Sequence, residues 1–177
     1  MSEMRPFSIE LDELPPDLAA IYAYWKSLKC NSIAPSWDQF DLFLLPPIIL
    51  PTTAVCDIEK ELGSSTFRFW GSHLTPVQGQ DMTGRRMDEM MPLNHRLNIF
   101  AAHERVVRER HPNASCHGRR ELGGIAKAQL VLRLPLSSDG ETVDKTVVCV
   151  DYSDWARRMI GSSRTEYLDV LEHSYSN

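Results

Sequence analysis

The chain has 177 residues, 42% of them hydrophobic and 24% charged, a length and mixture that suit one soluble globular core and exclude wholesale disorder. Its net charge of −5 repels a phosphate backbone at long range and argues against nucleic acid as a partner. The longest apolar run, Leu42 to Leu50, is about half the roughly 20 residues of a membrane-spanning helix and is broken by Pro46-Pro47, so no span is expected.

Met1 to Leu11 mixes Glu3, Arg5, Pro6 and Glu10 with no continuous apolar stretch, which is not a secretory signal; a cytoplasmic protein is expected. The first periodic segment is Leu18, Ile21, Tyr22, Trp25 and Leu28, one apolar stripe of an amphipathic helix. Pro15 and Pro16 suit its first turn and Asp17 suits the positive end of its dipole. A second helix is expected after Ser36, where Ser36 and Gln39 have capping-box spacing, Trp37, Phe40 and Leu44 share a face, and Pro46-Pro47 form the stop. From Ile48 to Glu61 the residues become apolar and β-branched, Gly63-Ser64-Ser65 turns, and Thr66 to Trp70 returns as the second strand of a hairpin. Strict alternation there places Phe67 and Phe69 on one face and Arg68 and Trp70 on the other, wetter one.

Between Leu74 and Met91 the spacing of Pro76, Gly79 and Gly84 gives short helices joined by turns. A longer helix spans about Asn94 to Arg110, with Leu97, Phe100, Ala101 and Val107 on one stripe widened by Ile99 and Val106, and Pro112 ends it. Three strands follow. Asn113 to Leu122 is the weakest pattern; Ile125 to Leu136 carries Ala126, Ala128, Leu130, Leu132 and Leu134 on one face against Lys127, Gln129 and Arg133 on the other; Lys145 to Tyr152 contains a β-branched run, Thr146 to Val150, suited to a central strand buried on both faces. Cys30, Cys56, Cys116 and Cys149 have neither CxxC nor zinc-ligand spacing and read as reduced thiols.

This order of elements, together with Phe67-Arg68-Phe69-Trp70-Gly71-Ser72-His73-Leu74 leading into Met82-Thr83-Gly84-Arg85-Arg86-Met87-Asp88-Glu89-Met90, resembles PAS domains, in which an aromatic strand precedes a "TGR-x-hydrophobic-DE-hydrophobic" helix entry. Tyr24-Trp25-Lys26-Ser27-Leu28, then Pro35, Asp38, Phe40 and Asp41, then Leu45-Pro46-Pro47-Ile48 resemble the leader of a proteobacterial family of small stand-alone PAS-like proteins. The resemblance covers most of residues 22–91, agrees only in pattern over the later strands and is nil beyond Ser153. It implies an α+β fold, a five-stranded antiparallel sheet with short helices on one face and an N-terminal amphipathic helix. The expected organisation is a helical leader at 1–45, a PAS-like domain at 46–153, and a C-terminal helix or tail at 154–177. It also implies a small internal cavity that in many relatives holds a signal molecule, and an output delivered in trans to a signalling protein partner.

On that reading the cavity lies between the sheet and the helix containing Phe100, with Phe69, Met90, Leu97, Phe100, His103 and Leu132 as its ligand-binding lining. No cofactor or ligand motif carries over. His103 is placed where some haem-binding PAS relatives put an iron ligand, but a lone histidine on a mixed helix face is more often a boundary residue, and His95 is a solvated residue at the helix start. Arg105, Arg108, Arg110 and His111, with His117, Arg119 and Arg120 beyond, suggest an anion site, set against the simpler preference of cations for helix C-termini. Cys116-His117 is no catalytic pair, because neighbours in a strand point to opposite faces, and there is neither a GxSxG elbow nor a phosphate loop. Met82, Met87, Met90 and Met91 either fill the core or line an adaptable pocket. The Trp25 stripe either covers the outer sheet face within one subunit or pairs with a second copy; the limited surface of a small domain favours the pairing. The alternatives to a non-enzymatic ligand-binding regulator are a small cup-shaped isomerase or hydratase, which needs an interior acid such as Asp57 or Asp151 beside His103, and a scaffold with a filled core.

Overall fold

A computed structural model describes residues 7–121 and 124–152; the expected helix or tail at 154–177 lies outside the described residues. Pro16–Leu28 forms helix α1, with Pro16 in the first turn, Asp17 beside it and Lys26 in the last turn, the arrangement the missing proline N–H and the helix dipole favour. Leu18, Ile21 and Trp25 are its buried stripe. Burial of each is worth roughly 2 kcal/mol against leaving it in water, and this decides where the helix goes.

It goes onto the sheet of its own chain. Trp25 is 3% exposed and its Nε1 donates to the Pro135 carbonyl at 2.8 Å. The stripe expected to favour a second copy is therefore already covered within the subunit. The physical reason is a sheet face with no other cover: Leu130, Leu132, Leu134, Leu136, Val147 and Cys149 join Ile21 and Trp25 in one core cluster.

No α-helix follows Ser36. The residues that begin like a capping box do make that bond, Gln39 Oε1 accepting from Ser36 N at 2.9 Å. The chain then turns sharply at 37–39 and makes a single 3₁₀ turn at Leu42–Leu44. Asp41 accounts for the interruption, since its N–H donates to Tyr24 Oη and its Oδ1 accepts from Phe43 N, each at 2.9 Å, so backbone groups that would have continued a helix are diverted. Phe40, Leu45 and Ile49 point into the α1-side core while Phe43, Leu44 and Ile48 remain exposed.

The strands are β1 (Phe7–Ile9), β2 (Thr53–Asp57), β3 (Thr66–Trp70), β4 (Asn113–Glu121), β5 (Gly124–Leu136) and β6 (Lys145–Asp151). They form one sheet in the order β1-β4-β5-β6-β2-β3, with every pairing antiparallel. The five expected strands are all present and β6 is interior, as its β-branched run requires. The sixth, β1, covers part of the outer edge of β4 by pairing Phe7, Ser8 and Ile9 with Cys116, Ser115 and Ala114.

The second layer consists of α2 (Thr75–Gln78), a 3₁₀ turn at Met87–Glu89 and α3 (Leu93–Glu109). The Thr83-Gly84-Arg85 segment is a tight turn held against β3: Asp81 Oδ1 accepts from Thr83 N and Oγ1, Gly84 has φ 72°, its N–H donates to the Phe67 carbonyl, and Phe67 N donates to Arg85 O. Only glycine adopts that left-handed conformation without strain. This docking drops Met82, Met87 and Met90 into full burial against Phe67.

Candidate functional site

Between the N-terminal half of α3, α2 and the sheet face opposite α1 lies a cavity of about 280 Å³. Its base is formed by alternate residues of the strands: Trp70 from β3, Ala54 from β2, Val148 and Val150 from β6, and Gln129, Val131 and Arg133 from β5. Four of them share one cross-strand row, because Trp70 pairs with Ala54, Ala54 with Val148, and Val148 with Arg133. Trp70 and Arg133 thus stand three strand spacings apart, roughly 14 Å between Cα atoms, with apolar residues between them. Met90, His95, Ile99 and His103 come from the helical layer.

The six residues expected to line this space are divided by the structure. Met90 and His103 line it; Phe100 packs in the same core layer outside it. Phe69 and Leu132 belong to the opposite, α1-side core, and Leu97 is 57% exposed. Phe69 is displaced by a β-bulge: Phe69 pairs with Val55 but Phe67 pairs with the very next residue, Cys56, so Arg68 is the extra residue and the alternation flips across it. Phe67 and Trp70 therefore share the cavity side, their rings 5.0 Å apart and edge to face, while Phe69 faces α1. Leu132 shows the alternation of β5 as expected, but its apolar face turns to α1 and its polar face to the cavity. On α3 the inward line is His95, Ile99, His103 and Val106, at helical spacing, rather than the stripe through Leu97.

The polar residues of this face are unusually deep. His103 is 1% exposed and no boundary residue; its Nδ1 shares a 3.1 Å hydrogen bond with Thr146 Oγ1. Burial, with Arg133 nearby, pushes its pKa down to about 3, so the imidazole is neutral near pH 7. His95, read as solvated, is half-buried and lines the cavity. Arg133 is 3% exposed. Its Nη1 donates to Ser115 Oγ at 3.0 Å, while its Nε is buried without a hydrogen-bond partner, and so is Trp70 Nε1. Burial pulls the Arg133 pKa down to about 10, which still leaves it charged. Burial raises that of Tyr152, which also lines the cavity, to about 12. No Asp or Glu is among the described lining residues.

Sequence reasoning misses Arg133 and Trp70 because strand alternation gives both to a wet face. The available signal was an arginine flanked by Val131, Leu132 and Leu134 in a strand with apolar residues at most positions, more deeply placed than a solvated edge would be.

The remaining candidates have structural explanations. Arg105 and Arg108 pair with Glu109 at 3.0 and 3.4 Å, and Arg105 Nη1 also donates to Ser8 Oγ, so these two cations are engaged locally, and His111 Nδ1 lies 2.9 Å from the Pro112 carbonyl; His117, Arg119 and Arg120 are outside the described side chains. Met82 and Met87 fill the core, Met90 lines the cavity and Met91 is exposed at its rim. Asp57 pairs with Arg68 at 2.9 Å, and Asp151, alternating with Val148 and Val150, falls outside the cavity lining. Cys56, Cys116 and Cys149 are buried apart, with the thiols of Cys56 and Cys149 pushed up to about 12, mainly by burial. Among the described residues no group of three or more His, Cys, Asp or Glu is placed to hold a metal ion, and no helix is long and apolar enough to cross a membrane.

Gly71 fixes the Trp70 corner of the cavity. Its N–H donates to the Thr53 carbonyl at 2.8 Å, and a side chain there would put its first carbon 2.2 Å from the Pro51 carbonyl oxygen.

No curated protein matches the chain. Among solved structures, a sensory box histidine kinase/response regulator from Burkholderia thailandensis E264 is similar at 14% identity and a TM-score of 0.36, over 69% of this chain and 92% of that one. A family model described as a PAS domain matches residues 14–150, a span that takes in α1, the leader loop, five of the six strands and the whole helical layer, and the chain accordingly belongs to the PAS domain family.

Proposed function

We propose that this PAS domain is a non-enzymatic sensory regulator, acting in the cytoplasm, that binds a small molecule in the cavity between α3 and the sheet and reports its occupancy in trans to a protein partner. The observation that carries the reading is the cavity itself: about 280 Å³ in a fold whose opposite sheet face is a buried apolar cluster under α1, just under the roughly 300 Å³ at which small-molecule sites begin. The α2, Met87–Glu89 and α3 elements that cover it are joined by turns, so a ligand lodged beneath them has a layer it can displace. Exposed Phe43, Leu44 and Ile48 support contact with another protein. The neutral His103, with no acid beside it among the described lining residues, favours binding over acid–base chemistry.

Native mass spectrometry of the purified chain, with melting curves against a metabolite library, tests this reading. The expected result is a retained or stabilising small molecule that Val148→Phe, which fills the base of the cavity, abolishes. Equal stabilisation of the variant and the parent would place binding elsewhere. Absence of any bound or stabilising molecule would leave the filled-scaffold alternative.

A further inference from the structure

We infer that the cavity is built for a small organic carboxylate, its anionic group held by Arg133 and its apolar body lying along Ala54 and Val148 toward Trp70. The inference rests on the ligand-binding reading above and adds the chemical class of ligand. Arg133 is 3% exposed, and Ser115 Oγ takes only its Nη1. Its Nε has no hydrogen-bond partner, and the described lining residues include no carboxylate to neutralise it. A buried cation without a counter-ion is costly and is retained where something external completes it. A second buried donor without a partner, Trp70 Nε1, lies at the other end of the same cross-strand row. Both deficits are donors, so the complementary ligand is rich in acceptors.

The other residues narrow the class. Arginine's planar fork matches the two oxygens of a carboxylate. An inorganic anion would satisfy the charge but leave most of the space unfilled, since the cavity is several times the roughly 30 Å³ share of one water, and Ala54, Val131, Val148 and Val150 line the intervening stretch. His103, neutral and bonded to Thr146, can contribute a hydrogen bond without adding a charge. A short monocarboxylate with an apolar body and a second acceptor at its far end fits all of these features.

Titration calorimetry of the full chain with hexanoate, benzoate and 4-hydroxybenzoate, each beside its primary amide, and with inorganic phosphate, tests the assignment. At least one carboxylate is expected to bind, with its amide at least about tenfold weaker, equivalent to about 1.4 kcal/mol. Arg133→Gln should erase that preference and Arg133→Lys should restore part of it. Trp70→Phe should weaken 4-hydroxybenzoate about fivefold, as loss of one neutral hydrogen bond would, and leave benzoate nearly unchanged. The wild-type comparison of acid with amide stands even where an Arg133 variant fails to fold. Amides binding as tightly as acids, or a neutral molecule retained in native mass spectra, overturns the carboxylate and leaves ligand sensing intact. Phosphate binding alone overturns it as an adventitious ion only. No binding by any carboxylate overturns it as well, and if no molecule of any charge is retained the sensory reading fails with it.

Discussion

On the α1 side of the sheet, Leu130, Leu132, Leu134 and Val147 meet Ile21 and Trp25 in a cluster of buried apolar residues. One residue along the same strands, on the other side, come Gln129, Arg133, Thr146 and Val148 around a cavity. Both faces are shielded from water, yet one is packed for stability and the other keeps a charge and two unpartnered donors at a cost to it. A fold of this size draws its stability from the first face, which leaves the second free to carry the binding site proposed above.

The largest expected effect sharpens the stabilising side of that contrast. Trp25→Ala should lower the unfolding free energy by about 4 kcal/mol in urea denaturation, through the lost side chain and its bond to Pro135. The loss should not depend on protein concentration; a concentration-dependent loss would mean that the stripe is buried between copies. Leu132→Ala should cost about 3 kcal/mol in the same assay while leaving ligand affinity unchanged, and a selective loss of binding would move the site to the α1 face.

The cavity face should show its cost as a pH dependence. His103 is confronted by Arg133 from β5 and Thr146 from β6, and its pKa falls from 6.5 to about 3 on folding. The unfolded chain therefore takes up the proton first, so this group's contribution to stability falls as pH drops below about 6.5. The slope is about 1.4 kcal/mol per pH unit, or about 2 kcal/mol by pH 5. His103→Gln should remove that component from urea midpoints measured across pH 5–7, and identical slopes for the two proteins would refute the buried neutral imidazole. A smaller effect of opposite sign is expected of Arg133→Met, which should stabilise the ligand-free chain by about 1 kcal/mol because the buried charge is gone; marked destabilisation would mean that Arg133 is already satisfied. Leu97→Ser, on the exposed side of α3, should change stability by less than about 0.5 kcal/mol and leave binding unaltered.

Much of the fold was legible because local patterns agreed with the tertiary answer. The prolines that open α1, the β-branched run of β6 and the Thr83-Gly84-Arg85 turn each place their elements correctly. What was not legible depended on two-body information. The bulge at Arg68 is set by register against β2 and has no marker in Thr66 to Trp70, so alternation carried Phe69 to the wrong side. Apolarity alone assigns Leu132 to the cavity, whereas α1 takes that face and leaves the polar one for the site. On α3, selection by apolarity picked Leu97, although the inward line contains two histidines. The helix expected after Ser36 was lost to Asp41 and Tyr24, partners 17 residues apart, and β1 is three residues long, too short to show a period.

Gly71 sets a limit on how relatives of this chain can diversify. Because its backbone touches that of Pro51 and Thr53, drift at this position is closed to residues with a side chain unless the neighbouring turn shifts too, and the indole next to it inherits that constancy. The opposite wall has no such restraint: side chains at 129, 131 and 150 can be exchanged without rerouting the main chain. On the ligand-binding proposal, changes of preference within such a lineage should therefore accumulate at that wall, around a fixed aromatic corner.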